Sequence, residues 1–114
     1  MKKIILTACV FAFASVQAQV KPKFEKAGEL VKVSYFYDNG KIKERGFFKD
    51  KKLHGTWFSF DKEGNKIAIA HFKNGKKVGK WLMWYKDGLR EIDYQNNSVA
   101  SVQVWKESTK IALK

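Results

Sequence analysis

Phe48-Lys49-Asp50-Lys51-Lys52-Leu53-His54-Gly55-Thr56-Trp57 is followed, 24 residues on, by Phe72-Lys73-Asn74-Gly75-Lys76-Lys77-Val78-Gly79-Lys80-Trp81. Each stretch runs from a Phe through a lysine-rich turn to a Gly and then a Trp. The same step links Gly40, Gly64 and Gly88, then Trp57, Trp81 and Trp105, then Phe36, Phe60 and the aromatic Trp84. Gly makes up about 7% of average proteins and Trp less, so three of each in one register point to an internal repeat. A period of this length marks stacked units that each need a neighbour to bury their apolar face.

Within a unit the local pattern is β. Val33 to Tyr37, Thr56 to Phe60 and Trp81 to Tyr85 are short runs of aromatic and β-branched residues, the signature of strands. Asp38-Asn39-Gly40, Glu63-Gly64-Asn65 and Asp87-Gly88 follow them, with Gly able to take the positive φ of a tight hairpin turn. The chain returns through Ile42 to Phe48, Lys66 to Phe72 and Leu89 to Tyr94, and a last strand runs from Val99 to Trp105. About seven strands are expected. No window of about 11 residues has helical apolar spacing outside the first residues of the chain.

The two quoted stretches resemble successive MORN-type repeats, in the variant found in YwqK-type antitoxin-like proteins. The resemblance covers residues 33 to 94. It departs at Lys51, where the second unit has Gly75, and at Asn96 and Gln103, where the last unit lacks a Phe and a Gly. The resemblance implies an all-β protein: an elongated, twisted antiparallel sheet of stacked β-hairpins. The expected organisation is a leader at 1–18, a linker at 19–32, the repeats at 33–94 and a capping strand and tail at 95–114, more polar as a terminal repeat must be.

Alternation along the strands places Phe58, Phe60, Leu82 and Trp84 on one side, and Trp57, Trp81, Met83 and Tyr85 on the other. Phe36, Phe60 and Trp84 are expected to stack in a column, with Gly46 and Ala70 keeping the returning strands low beneath it. Two apolar faces are unusual for an open sheet. Burial of the Trp57 and Trp81 side is the favoured explanation, a binding surface the alternative.

The chain begins with Lys2 and Lys3, an apolar run from Ile4 to Ala14, and Val16-Gln17-Ala18, the order of a secretory signal cleaved after Ala18. The run is too short for a membrane-spanning helix, which needs about 20 residues. Leu6-Thr7-Ala8-Cys9 also matches a lipobox, which would tether the protein through Cys9, although few apolar residues precede it. Cleavage after Ala18 takes the net charge of the 114-residue chain from +12 to +10 and removes Cys9, the one cysteine. An exported mature chain would then have no disulfide, no thiol nucleophile and no cysteine metal site. With 45% hydrophobic residues over its 114 positions, the chain is expected to fold as one small domain.

The residues do not point to catalysis. His54 and His71 lie 17 apart and occupy different repeat columns, without the spacing of metal ligands, so no metal and no cofactor is expected. No phosphate loop or nucleophile elbow is present. Glu44, Glu91 and Asp93 read as cross-strand charge partners rather than paired catalytic acids.

Charge is the remaining functional signal. Lys49, Lys51 and Lys52 lie in one turn, Lys73, Lys76 and Lys77 in the corresponding one, with Lys80 nearby. Stacking aligns these turns into a ridge of hydrated, poorly directional cations suited to a diffuse anion. The plain alternative is that they keep turns and edges soluble. Export makes nucleic acid an improbable partner and favours anionic lipid head groups or similar envelope polyanions, with Trp81, Trp84 and Tyr85 seated at the interface, while the Trp57, Trp81 and Tyr85 face is the one a protein partner would use. A protein-interaction scaffold or antitoxin-like partner is the other reading, and an edge-strand homodimer fits either.

Overall fold

The turns dictate the architecture. Asp50 and Lys51 (φ 49° and 65°), Asn74 and Gly75 (50° and 82°), and Asn96 and Asn97 (49° and 74°) are consecutive left-handed pairs. Such pairs form the two-residue hairpin turn whose twist matches that of the flanking strands. At the other end, Gly40 N–H donates to Tyr37 O at 3.0 Å and Gly64 N–H to Asp61 O at 3.0 Å, closing three-residue loops with Gly40 and Gly64 at φ 86° and 96°. The chain therefore reverses at every turn without a crossover.

A computed structural model describes residues 20–106. The expected leader, with Cys9 and the Ala18 cleavage position, and residues 107–114 lie outside the described residues. The strands are β1 (Lys23–Ala27), β2 (Leu30–Phe36), β3 (Ile42–Lys49), β4 (Lys52–Phe60), β5 (Lys66–Lys73), β6 (Lys76–Lys77), β7 (Gly79–Tyr85), β8 (Gly88–Gln95) and β9 (Ser98–Lys106). They form one open antiparallel sheet in the order β1-β2-β3-β4-β5-β7-β8-β9, with β6 also beside β5. Its extents, 66 × 41 × 22 Å, are those of an elongated sheet.

Nine strands replace the expected seven. The segment read as a linker contains β1, paired with β2 from Lys23↔Ser34 to Ala27↔Leu30. Only Phe24 stands out among its charges, too little alternation to read as a strand without its partner. The last strand before β8 is split, because Val78 stands between β6 and β7 and the pairing with β5 resumes only at Leu82 and Met83.

That break is a repeated device. Gly55 and Gly79 hold φ 74° and 73° two residues before Trp57 and Trp81. The register also shifts between Arg45 and Phe47 where β3 meets β4. The bulge frees a carbonyl for each indole: Trp57 Nε1 donates to Phe47 O and Trp81 Nε1 to His71 O, each at 3.1 Å. Both donors and both acceptors are 24 residues apart, so a local backbone irregularity is part of the repeat.

The core lies on the tryptophan face. Val33 is fully buried, and Trp57 and Trp81 are 7% and 9% exposed. A continuous aromatic row runs Phe48, Trp57, Phe72, Trp81, Tyr94, with ring centroids 5.4, 6.4, 5.1 and 4.8 Å apart. The first three contacts are edge-to-face, which the ring quadrupoles favour. Burial of this side thus comes from neighbours in the same face rather than from a second layer.

Two expectations about packing are corrected. Among the described residues the aromatic pairs follow this row and not the Phe36, Phe60, Trp84 column. Gly46 serves Trp57: a Cβ there would overlap the indole atoms Cγ, Cδ2 and Cε2. Ala70 lies opposite Trp57 from the other flank. Gly88 is likewise not at a left-handed position. Its Cβ would strike the carbonyl oxygen of Trp105, so β9 approaches the backbone closely there.

Candidate docking surface

Of the lysine-bearing turns, the first is Lys49-Asp50-Lys51-Lys52 and the second Lys73-Asn74-Gly75-Lys76. They lie at the same end of the sheet because two strands separate them. Gly75 N–H donates to Leu53 O at 2.8 Å, and Asn97 N–H to Lys77 O at 2.7 Å, so three successive turns stand side by side. A Cβ at residue 75 would lie against the Lys52 stem, 3.7 Å from its Cβ. His54 helps: its Nδ1 accepts from Asn74 N–H at 3.4 Å.

Within this row the register opposes like charges. Lys49 is the direct partner of Lys52, and Lys73 of Lys76. Directly opposed like charges destabilise a sheet. Lys51, Lys52, Lys73 and Lys76 are exposed. Asp50 lies among them, and Glu29 approaches Lys49 at 4.0 Å.

Not every predicted lysine joins the row. Lys77 folds over the aromatic face, its Nζ 5.4 Å from the Trp81 ring centroid and 5.3 Å from that of Tyr94. Lys80 is held by Glu91 at 3.5 Å, on the face opposite Trp81. The aromatic candidates separate as well. Trp57 and Trp81 are buried with their indole N–H groups bonded, so they offer little contact area. Tyr85 is 48% exposed but stands at the far end of β7, with Arg90 4.8 Å from its ring centroid.

His71 lies elsewhere, its Nδ1 3.1 Å from Thr56 Oγ1 across the β4–β5 pair. The row's third turn, Gln95-Asn96-Asn97-Ser98, carries no lysine. It caps the second instead, Asn97 Oδ1 accepting from Lys77 N–H at 3.2 Å. Sequence reasoning did not place Phe48, Phe72 and Tyr94 in the aromatic row. The 24-residue step between Phe48 and Phe72 contained that signal, but which face they share depends on the bulges.

The hairpins β2–β3 and β4–β5, each ending in a lysine turn, are the units that a comparison with known families picks out. Residues 31–50 and 53–74 match the MORN repeat variant. Such MORN repeats act as membrane- or protein-interaction modules and form a non-enzymatic family. The third hairpin, β7–β8, lies beyond the matched residues and repeats the same antiparallel pairing. No curated protein and no solved structure matches the chain.

Proposed function

We propose that this protein is an exported, non-catalytic docking module that sets the lysine turns of its MORN repeats against an anionic envelope surface, such as lipid head groups. The observation that carries the reading is the repeated opposition of Lys49 to Lys52 and of Lys73 to Lys76. Charges kept only for solubility gain nothing from being opposed in register. An anionic surface relieves that repulsion, and each basic residue held near it contributes on the order of 1 kcal/mol. The exposed ammonium groups are hydrated point charges, matched to a layer of head groups rather than to one bidentate ligand.

The reading is tested by co-sedimentation of the purified protein with phosphatidylglycerol-containing and with pure phosphatidylcholine vesicles, at low and physiological salt. Binding to the anionic vesicles alone, weakening as salt screens the lysines, supports it. Equal recovery with both vesicles, or with neither, overturns it.

A second reading is a protein-interaction scaffold, in the sense of an antitoxin-like binder. One observation favours it: a groove of about 400 Å³ runs along the aromatic face between Tyr35, Phe48, Leu53 and Met83, with Glu44 and Ser59 as its polar members. Binding there would survive salt better than lysine docking, because it rests on apolar contact.

A further inference from the structure

The two outer edges of the sheet differ in how they are guarded. β1 is preceded by Pro22 and carries Lys23, Glu25 and Lys26 among its five residues. Proline and charge are the devices by which edge strands avoid pairing with other chains. β9 has neither. From Ser98 to Trp105 it reads Ser-Val-Ala-Ser-Val-Gln-Val-Trp, with no charge, proline or glycine. That composition favours strand pairing.

Side-chain exposure adds to the contrast. Tyr94, Ile92 and Arg90 pair with Val99, Val102 and Val104, and the register shift between Asp93 and Tyr94 brings Val99 to the face of the other two valines. All three belong to the aromatic face and are 56%, 55% and 55% exposed. They prolong the Phe48 to Tyr94 row to the rim of the sheet, where none of the described residues covers it.

Charge decides what can cover it. The chain carries +12, but the last hairpin, Gly88 to Lys106, sets Arg90 and Lys106 against Glu91 and Asp93 and is neutral. A second copy therefore approaches this edge without meeting like charge, as it would at the lysine turns.

We propose that β9 pairs antiparallel with the β9 of a second copy, joining two sheets into one across a two-fold axis. Full overlap of the strand places Val102 opposite its own counterpart. Each edge then satisfies the other's free N–H and C=O groups, and the valines of both copies form one apolar strip. The contact is isologous and uses the edge once, so it closes at a dimer. The β1 edges stay outside.

Sedimentation equilibrium of the purified protein tests this. The expected result is a mass twice that of the chain, falling to the single-chain mass in Val102→Lys and unchanged in Phe24→Lys. Circular dichroism must show that Val102→Lys keeps its strand signal; if it does not, Val104→Lys is read in its place. A single-chain mass for the parent at every concentration overturns the proposal. That outcome would mean that residues 107–114 or another protein cover β9. A dimer that survives the β9 variants, or is lost in Phe24→Lys, overturns it equally.

Discussion

The indole of Trp57 lies over Gly46 and fills the space that a side chain at residue 46 would need. The indole cannot move aside cheaply, since its Nε1 is bonded to Phe47 O and its ring is wedged between Phe48 and Phe72. The repeat is thus built around a pinned tryptophan over a residue without a Cβ.

Gly46→Ala is therefore expected to be severe for so small a change. Overpacking of a filled site costs about 1–3 kcal/mol, and the pinned ring puts this case at the upper end. Urea denaturation measures it. A loss well below 1 kcal/mol would mean that the ring tilts freely.

Trp57→Phe and Trp81→Phe should each lose about 2 kcal/mol, from a buried hydrogen bond and from the ring volume. Trp105→Phe should lose less than about 1 kcal/mol, because Trp105 is less buried and water can replace its 3.0 Å bond to the Glu91 carboxylate. Chemical denaturation of the three variants side by side checks the order.

Lys51 holds φ 65° where the second unit has Gly75 at 82°. A left-handed backbone costs a residue with a Cβ roughly 1–2 kcal/mol. Lys51→Gly should stabilise the fold by about 0.5–1 kcal/mol, the larger unfolded-chain entropy of Gly offsetting part of the relief, and Gly75→Lys should destabilise it by a similar amount. Thermal melts read both directions.

Asp61 supplies a pH dependence. Its carboxylate accepts from Asn65 N–H at 2.8 Å, from Asn65 Nδ2 at 3.2 Å and from Glu63 N–H at 3.0 Å. These bonds, the Asn65 backbone bond foremost, hold the carboxyl below its ordinary range. With the folded pKa the lower one, the contribution to stability is present above the unfolded pKa and lost as pH falls through the folded value. The stability difference between Asp61→Ala and the parent should shrink in acid. A difference that does not change with pH would contradict this, and NMR titration of the carboxyl gives the direction independently.

The strands, the Trp register and the two lysine turns were legible because each rests on local chemistry: alternation, left-handed turn residues, repeated indoles. What could not be read depends on partners. Phe24 becomes part of a strand only beside Val33. Gly46 looked like a spacer for Phe60, because the bulges at Gly55 and Gly79, which set what lies under each ring, leave little trace in the alternation. Lys80 and Lys77 read as members of the ridge until Glu91 and the Trp81 and Tyr94 rings claimed them.

The central claim concerns where the charge is, so the most direct test compares two variants of equal net charge that lose it at opposite ends of the sheet. Lys51, Lys52, Lys73 and Lys76 changed together to Gln remove four charges from the lysine-turn end, and Lys21, Lys43, Lys62 and Lys86 changed to Gln remove four from the opposite end. Affinity for phosphatidylglycerol-containing vesicles should fall at least about tenfold in the first variant and much less in the second. Equal losses in the two would show that net charge alone drives binding and would contradict docking through the repeat turns.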